Sequence, residues 1–422
     1  MLRITAYLFF LIIFNLNQGY TQWLPLNSGT NKNLNDVFFV NDDLGYVVGD
    51  SGIILKTVDG GIVWNILSSG TFLNLNGVHF VNADTGFVVG GRTDKLFFLG
   101  GIVLKTIDGG NNWISILADT SEYGFPDVHF LNGDTGFVIS NVYIIKTIDG
   151  GLNWDTTYGY AFPTSLWLYS IYCISDQVGF AAGERGMSTE SIVKTTNSGN
   201  NWFDLNFPKY KVFTTYFWDQ SIGYAGGETY IANTTDGGNS WAVNNLPYFI
   251  YSVFAVNSNI AFASGIRSAN DSAIIVKTTD GGVNWLPQNI LVDSNTIIAK
   301  VLSLYFTKID TGYAVGTNGL ILKTTNGGET GFDEKSFYSE YFINTYPNPF
   351  STFTTIEIPE GYKNGKKLSF GLYNLMGREV KRIEEITSDK IKINRDNLSP
   401  GLYFYKLEER DQIIATGKVV IQ

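Results

Sequence analysis

One phrase recurs along this 422-residue chain: Lys-Thr-x-Asp-Gly-Gly-x-x-Trp. It occupies residues 56–64, 105–113, 146–154 and 277–285. Weaker copies cover 194–202, with Asn197 for Asp, and 233–241, which begins at Asn233. A seventh, at 323–332, has Asn326 and lacks the Trp. From Trp23 through Trp64, Trp113, Trp154, Trp202, Trp241 and Trp285 the steps are 41, 49, 41, 48, 39 and 44 residues. Such a period means one supersecondary unit stacked on copies of itself, since a single small sheet cannot bury both of its faces.

Upstream of each copy lies an apolar strand followed by Gly-Tyr/Phe-x-x-Gly, as in residues 37–49, 78–90 and 304–316. Each unit therefore reads as four short strands, the size of one propeller blade. In the first unit, A is residues 37–39, B is 45–49, C is 53–57, and Trp64 opens D. The seventh copy lacks a strand D, while residues 23–28 supply an orphan Trp and strand near the other end. The expectation is a seven-bladed ring fastened by both ends of the chain.

Composition narrows the function. Charged residues are only 16% of the chain and aromatics 15%, which excludes a disordered chain. One Cys and two His leave no disulfide scaffold and no usual zinc ligand set, so neither a metal nor a cofactor is expected. A net charge of -10 argues against nucleic acid as a partner.

The turn phrase resembles the Asp-box, [ST]-x-D-x-G-x-x-W, of sialidases, sortilin-type propellers and some endoglucanases. Thr57, Asp59, Gly61 and Trp64 fit it, as do the sets ending at Trp113, Trp154, Trp241 and Trp285. A short carboxylate accepts N–H bonds within its own turn, Gly takes the positive φ, and Trp buries a large surface. Asp59, Asp108, Asp149, Asn197, Asp236, Asp280 and Asn326 thus read as turn staples, not catalytic acids. The longer pattern resembles the propeller family of the photosystem II assembly and stability factor. That resemblance, over residues 22–332, implies a protein-binding propeller without catalysis.

Residues 1–21 read as a signal peptide: Arg3, an apolar run over 4–14, then a polar stretch with cleavage near Thr21–Gln22. The run is too short to span a bilayer, and no later segment reaches that length, so no transmembrane segment is expected after signal removal. Residues 333–343 read as a linker. Beyond it, strand-like runs at 354–358, 367–374, 390–393, 402–407 and 417–421 suit a small Ig-like β-sandwich. Its marks are Pro347, Asn348, Pro349, Gly377, Gly401, Tyr403, Gly417 and Lys418. Residues 344–422 resemble the C-terminal sorting domain (type A) of the Bacteroidetes type IX secretion system. That implies passage through the periplasm, the secretion machinery as a partner, and release or attachment at the outer surface. An ordinary Ig-like accessory domain is the alternative.

Two features invite a chemical reading. The strand A positions Phe38, His79, His129, Tyr172, Tyr216, Phe254 and Tyr305 are all aromatic or His. They are expected to pack between blades, with Cys173 buried and inert. Second, the B–C connections of blades 2, 4 and 6 are long, and they carry the propeller's only arginines, Arg92, Arg185 and Arg267. B–C and D–A connections share one face of a propeller, so three Arg on one mouth could assist a partner. The function expected is non-enzymatic binding of an extracellular protein or glycan. The alternative is a secreted glycoside hydrolase acting on polysaccharide. A sialidase-like site would need three Arg with a Tyr–Glu pair, which the sequence alone does not assign. An endoglucanase-like site would draw on Asp94 or Asp271, with Trp167 and Trp218 as exposed sugar platforms.

Overall fold

The computed structural model describes residues 23–91, 100–119, 124–140, 142–159, 166–185, 191–209, 211–290, 299–328, 345–358, 368–374, 378–386, 388–409 and 412–422. The signal peptide and linker expectations lie outside these. The chain divides into two compact units, Met1–Glu329 and Thr330–Gln422.

The first unit is the seven-bladed ring. Blade 1 runs Leu34–Phe39, Gly45–Gly49, Ile53–Thr57 and Asn65–Ser68, antiparallel from inside to outside. Blades 2, 3 and 4 repeat it, with innermost strands Leu75–Phe80, Asp127–Phe130 and Leu166–Cys173. Blades 5 and 6 share one six-stranded sheet because their connections are so short. The strand Gly223–Thr234 turns at Thr229 (φ 59°), so its first half serves as B and its second as C. The strand Ala242–Ala255 is likewise D of blade 5 and then A of blade 6. Blade 7 has Val301–Phe306, Gly312–Gly316 and Ile321–Thr324, and its outermost strand is Leu24–Leu26 from the other end of the chain. The expected closure is there, and Trp23 is fully buried against Phe306 and Phe262.

Three devices join neighbouring blades. The first is aromatic. A strand B ring of one blade stacks on a strand A ring of the next: Tyr46 on Phe80 at 3.8 Å, Phe87 on Phe130 at 3.4 Å, Phe180 on Phe217 at 3.6 Å. The blade's Trp meets that pair edge-on, as Trp113 meets Phe80. Where strand A offers only Cys173 or Ala255, the Trp leans directly on the preceding strand B ring, Trp202 on Phe137 and Trp285 on Tyr224. The glycine opening strand B lies under the strand A ring: a Cβ on Gly45 would sit 2.5 Å from the Phe39 ring.

The second is a lysine latch. The motif lysine donates to a backbone carbonyl in the next blade's Asp-box turn: Lys56 to Gly109 (2.7 Å), Lys105 to Gly150 (3.0 Å), Lys146 to Ser198 (2.6 Å), Lys194 to Gly237 (2.9 Å) and Lys277 to Gly327 (2.8 Å). Blade 5 has Asn233 instead, and there the amide of Asn244 reaches Gly282 (2.6 Å). The third device lies at the axis and is described with the site.

The second unit is a β-sandwich. One sheet pairs Thr345–Tyr346, Phe353–Glu357 and Lys390–Asn394; the other orders Glu379–Ile386, Leu368–Tyr373, Gly401–Glu409 and Gln412–Ile421. Ile356, Phe370, Leu372, Ile393, Leu407 and Val419 are fully buried between them. The strand Glu379–Ile386 was not expected from the sequence. Five of its eight residues are charged, which suits the sheet edge it occupies.

Candidate functional site

The Asp-box turns place their carboxylates in local hydrogen bonds. Asp59 Oδ1 accepts from Val63 N (3.0 Å) and from the Thr57 hydroxyl (2.8 Å), whose oxygen in turn accepts from Gly61 N (2.8 Å). Gly61 holds φ 85°. Asp108, Asp149, Asp236 and Asp280 repeat the arrangement. Asn197 and Asn326 accept from Thr195 and Thr324 in the same way. Hydrogen bonds from Asn153, side chain first and then backbone, hold Asp149 down at about 2. A carboxylate so engaged is a poor proton donor near neutral pH.

The axis is more complex. The seven strand A rings form a closed collar: Phe38–His79 4.9 Å, His79–His129 4.5 Å, His129–Tyr172 5.2 Å, Tyr172–Tyr216 4.6 Å, Tyr216–Phe254 4.7 Å, Phe254–Tyr305 5.2 Å and Tyr305–Phe38 5.1 Å. Each ring touches the next blade's ring, but the contacts run around the axis and all seven remain half-buried. The collar therefore packs blade against blade, as the sequence suggested, with its contacts running from ring to ring around the axis. Burial, then the neighbouring His129, push His79 well below the ordinary imidazole range, and burial takes His129 to about 4, so both are neutral at neutral pH. Cys173 is buried and its thiol is pushed up to about 12.

Two residues earlier on each innermost strand stand Asp36, Gly77, Asp127, Ser170, Thr214, Ser252 and Ser303. This ring is the third blade-to-blade device. Asp36 accepts from the Ser303 hydroxyl of blade 7 (2.7 Å) and from Val78 N of blade 2 (2.9 Å). Asp127 accepts from its neighbour Val128 N and from Ile171 N of blade 4. Blade 2 has Gly77 at this level, and a Cβ there would lie 3.3 Å from Asp127 Oδ1. The missing side chain makes room for Asp127. Burial raises Asp36 to about 6; burial and then the charge of Asp36 raise Asp127 to about 8.

Above this ring each innermost strand carries a β-bulge in six of the blades, between Leu34 and Asp36 in blade 1 and at the matching places in blades 2 and 4–7. Bulges re-aim side chains. Here the bulged residues of blades 4, 5 and 6 are Tyr169, Phe213 and Tyr251, half-buried and in successive contact, with ring centroids 5.8 and 5.6 Å apart and planes inclined by 60° and 53°. Blades 1 and 2 offer Asn35 and Asn76 instead. Both amide hydrogens of each are committed, Asn35 to Asp50 and Leu75 O, Asn76 to Gly91 O and Phe125 O. The mouth is therefore aromatic on one side and amide on the other.

Charges flank the aromatic side. Lys211 Nζ lies 2.7 Å from Glu228 and 3.7 Å from Glu184, and 5.4 Å from the Phe213 centroid. Burial disfavours the ammonium, but Glu228 and Glu184 outweigh it and raise the Lys211 pKa. The Tyr169 hydroxyl donates to Glu184 (3.1 Å); burial, then the charge of Glu184, lift its pKa above the ordinary phenol range.

Of the arginines, Arg185 and Arg267 end strand B of blades 4 and 6, at the same end of the ring as this mouth. The Arg267 guanidinium lies 5.6 Å above the Tyr248 ring. Arg92, Asp94 and the Arg185 side chain lie outside the described residues. Asp271 sits in the turn after Arg267, its N–H bonded to Arg267 O. Trp167 is the second residue of strand A of blade 4 and is half-buried, whereas Trp218 is 44% exposed at the A–B turn of blade 5. The two are at opposite ends of their blades and form no common platform. The aromatic arc itself was missed in the sequence; its signal is an aromatic three residues before the collar in three consecutive copies.

In the sandwich, Asn348 joins the two ends of the unit: its amide donates to Lys418 O (3.0 Å) and its carbonyl accepts from Val420 N (2.8 Å). Gly401 and Tyr403 pair with Ile421 and Val419, and Gly417 faces Tyr405, whose hydroxyl a Cβ would meet at 2.3 Å. Pro347, Pro349 and Lys418 are exposed beside Asn348; Gly377 lies outside the described residues.

Residues 344–422 match the family model described as Secretion system C-terminal sorting domain, and residues 16–126 match that of the Photosynthesis system II assembly factor YCF48. Among solved structures, YCF48 bound to D1 peptide is 19% identical, with 73% of this chain and 98% of that one covered at a TM-score of 0.58. YCF48 from Cyanidioschyzon merolae is 18% identical, with 72% and 99% covered and a TM-score of 0.57. A GH74 xyloglucanase from Xanthomonas campestris is 11% identical, with 94% and 68% covered and a TM-score of 0.59. At these identities the likeness is one of fold. No curated protein matches the chain in sequence.

Proposed function

For a propeller of the photosystem II assembly factor type, exported to or beyond the outer surface by a type IX sorting domain, we propose a non-enzymatic binding role for a protein or glycan, with the mouth over blades 4–6 as the binding face. One observation carries this reading: Lys211 sits between Glu184 and Glu228. The ammonium engages both carboxylates, so neither is the isolated acid that glycosidic cleavage needs. The YCF48 structure with a D1 peptide is a propeller of this fold with a bound chain segment, which accords with binding.

One observation favours the second reading, a sialidase-like hydrolase: Tyr169 and Glu184 are the kind of Tyr–Glu pair that the sequence alone did not assign. The electrostatics oppose it. A nucleophilic tyrosine needs its proton removed, and here burial and then Glu184 raise the Tyr169 pKa, while Glu184 is itself paired with Lys211. The test is a glycan array and a panel of glycosidase substrates with the purified chain. Capture without turnover supports binding; turnover that Tyr169→Phe abolishes establishes the hydrolase.

A further inference from the structure

We propose that the Asp-box end of blades 1–3, opposite the mouth, docks a partner segment that is both apolar and basic. This is a second surface, and it does not rest on the role given to the mouth.

The first observation is a row of exposed aliphatic side chains. The residue between the motif Thr and Asp is Val58, Ile107 and Ile148 in blades 1–3, and these are 62%, 68% and 68% exposed. The residue after the paired glycines adds Ile62 (77%) in blade 1 and Leu152 (82%) in blade 3. The turn does not require them. Blades 4–7 make the same turn with Thr196, Thr235, Thr279 and Thr325 at the first of these places, all exposed, and Val283 of blade 6 stands alone at the second. An aliphatic side chain left in water gains nothing from folding, and several together mark a contact surface. The three turns are neighbours. Lys56 donates to Gly109 O and Lys105 to Gly150 O, and a Cβ on Gly110 would lie 3.1 Å from Leu67 of blade 1. The A–B and C–D turns of these blades lie wholly within the described residues.

The second observation is charge. Each Asp-box turn is tied to the A–B turn of its own blade: Gly60 N donates to Asp43 O, Gly109 N to Asp84 O and Gly150 N to Asp134 O, at 2.8–3.0 Å. The side chains of Asp43, Asp84 and Asp134 are therefore exposed beside the aliphatic row. Together with Asp59, Asp108 and Asp149 they set two carboxylates per blade against one latch lysine, Lys56, Lys105 or Lys146. The further Asp42 is paired with Lys308 of blade 7. Blades 4 and 6 lack that excess, with Asp176 against Lys194 and Asp280 against Lys277. Exposed aliphatic groups and surplus acid thus coincide on the same three blades. Such a surface fits a segment that carries aliphatic side chains together with Lys or Arg. A second copy would bring its own carboxylates against these, and anionic lipid headgroups would be repelled.

The experiment titrates the full chain into a fluorescein-labelled peptide of alternating Leu and Lys and follows anisotropy, with Leu–Glu and Ser–Lys peptides of equal length beside it. The Leu–Lys peptide should bind at least tenfold more tightly than either, and its binding should weaken as salt rises. The triple variant Val58→Thr, Ile107→Thr, Ile148→Thr gives blades 1–3 the residue that blades 4–7 already carry, so an unchanged urea midpoint is expected. It should lose about tenfold in affinity for the Leu–Lys peptide. Asp84→Asn with Asp134→Asn, both at exposed turn positions, should also weaken binding and flatten its salt dependence. Equal binding of the Leu–Glu or Ser–Lys peptide, or Leu–Lys binding untouched by either variant, would overturn the inference. So would a dimer of the parent in sedimentation, or its capture by anionic vesicles, that the threonine variant loses, because the row would then serve a second copy or a membrane.

Discussion

Lys323 Nζ donates to Gly60 O at 2.7 Å, which joins the last blade to the first across 263 residues of sequence. The same carbonyl accepts from the Tyr313 hydroxyl at 2.8 Å. With the latches of the other blades, this bond makes a circuit of side-chain bonds around the ring. In blade 7 it supplements a short outermost strand, Leu24–Leu26, that comes from the other end of the chain. Lys323→Met keeps the aliphatic stem and removes the charged donor. The expected cost is about 1.5–3 kcal/mol, the range for a hydrogen bond to a charged group. Urea melts of the full chain should show the lower midpoint, and Lys32→Met, on an exposed side chain outside the circuit, should leave it unchanged.

Asp149 is the clearest of the Asp-box carboxylates. Its Oδ1 accepts from Asn153 N and its Oδ2 from the Asn153 amide, both without help from any other blade. Blades 4 and 7 carry Asn197 and Asn326 at this place, and one amide oxygen there accepts the threonine hydroxyl. Asp149→Asn should therefore lower the melting temperature less than Asp149→Ala does. The pH dependence has a definite sign. Its pKa is depressed from 3.8 to about 2, so its contribution is present above 3.8 and is lost as pH falls through 2. A melting temperature for Asp149→Ala equal to the parent's would remove the turn from the account of blade stability.

Much of the ring was legible because each blade repeats the same local chemistry. Strand B at Gly45–Gly49 and strand C at Ile53–Thr57 fall where the glycines and the Lys-Thr pair put them. Trp23 betrayed the closure because a Trp without its own turn has nowhere else to pack. The site was less legible for physical reasons. A bulge shifts the two-residue alternation by one, so Tyr169, Phe213 and Tyr251 fall out of phase with the strand pattern that sequence reading follows. The Glu184–Lys211–Glu228 cluster unites residues of two blades whose adjacency shows only after folding. The edge strand Glu379–Ile386 escaped because one bare face lets charge overwrite alternation.

The sorting domain yields a prediction about export and one about its own stability. Removal of residues 344–422 should leave the propeller in the periplasm, measured by fractionation of cells against culture medium; normal appearance of the truncated chain outside the cell would contradict a sorting role. Asn348 is exposed, yet it bonds both Lys418 O and Val420 N. Asn348→Ala removes two neutral hydrogen bonds, each worth about 0.5–1.5 kcal/mol. Hydrogen exchange should report the loss locally, as faster exchange at Val420, with little change at Val419, whose strand partner is Tyr403.

Asp127 gives the propeller a pH response that reaches further up the scale than that of Asp36. Its pKa is raised from 3.8 in the unfolded chain to about 8. Between those values the folded state keeps a proton that the unfolded state has lost, so stability falls as pH rises and levels off above about 8. The slope is at most about 1.4 kcal/mol per pH unit for one proton. Asp36, raised to about 6, adds to the fall only in the lower part of that range. His79 and His129 work in the opposite direction: their lowered pKa values cost stability as pH falls through 6.5, and only about one unit above it are they almost wholly neutral in both states. The contribution of Asp127 is therefore read as the difference between the parent and a variant that keeps both histidines. Asp127→Asn still offers an oxygen to Ile171 N or Val128 N and cannot ionise, so from pH 6.5 to 8 its melting temperature should not fall, and the parent's should fall relative to it by a few degrees. Parallel declines in both would place the proton elsewhere, and a rise in the parent relative to the variant would contradict the burial of Asp127 beneath the missing side chain of Gly77.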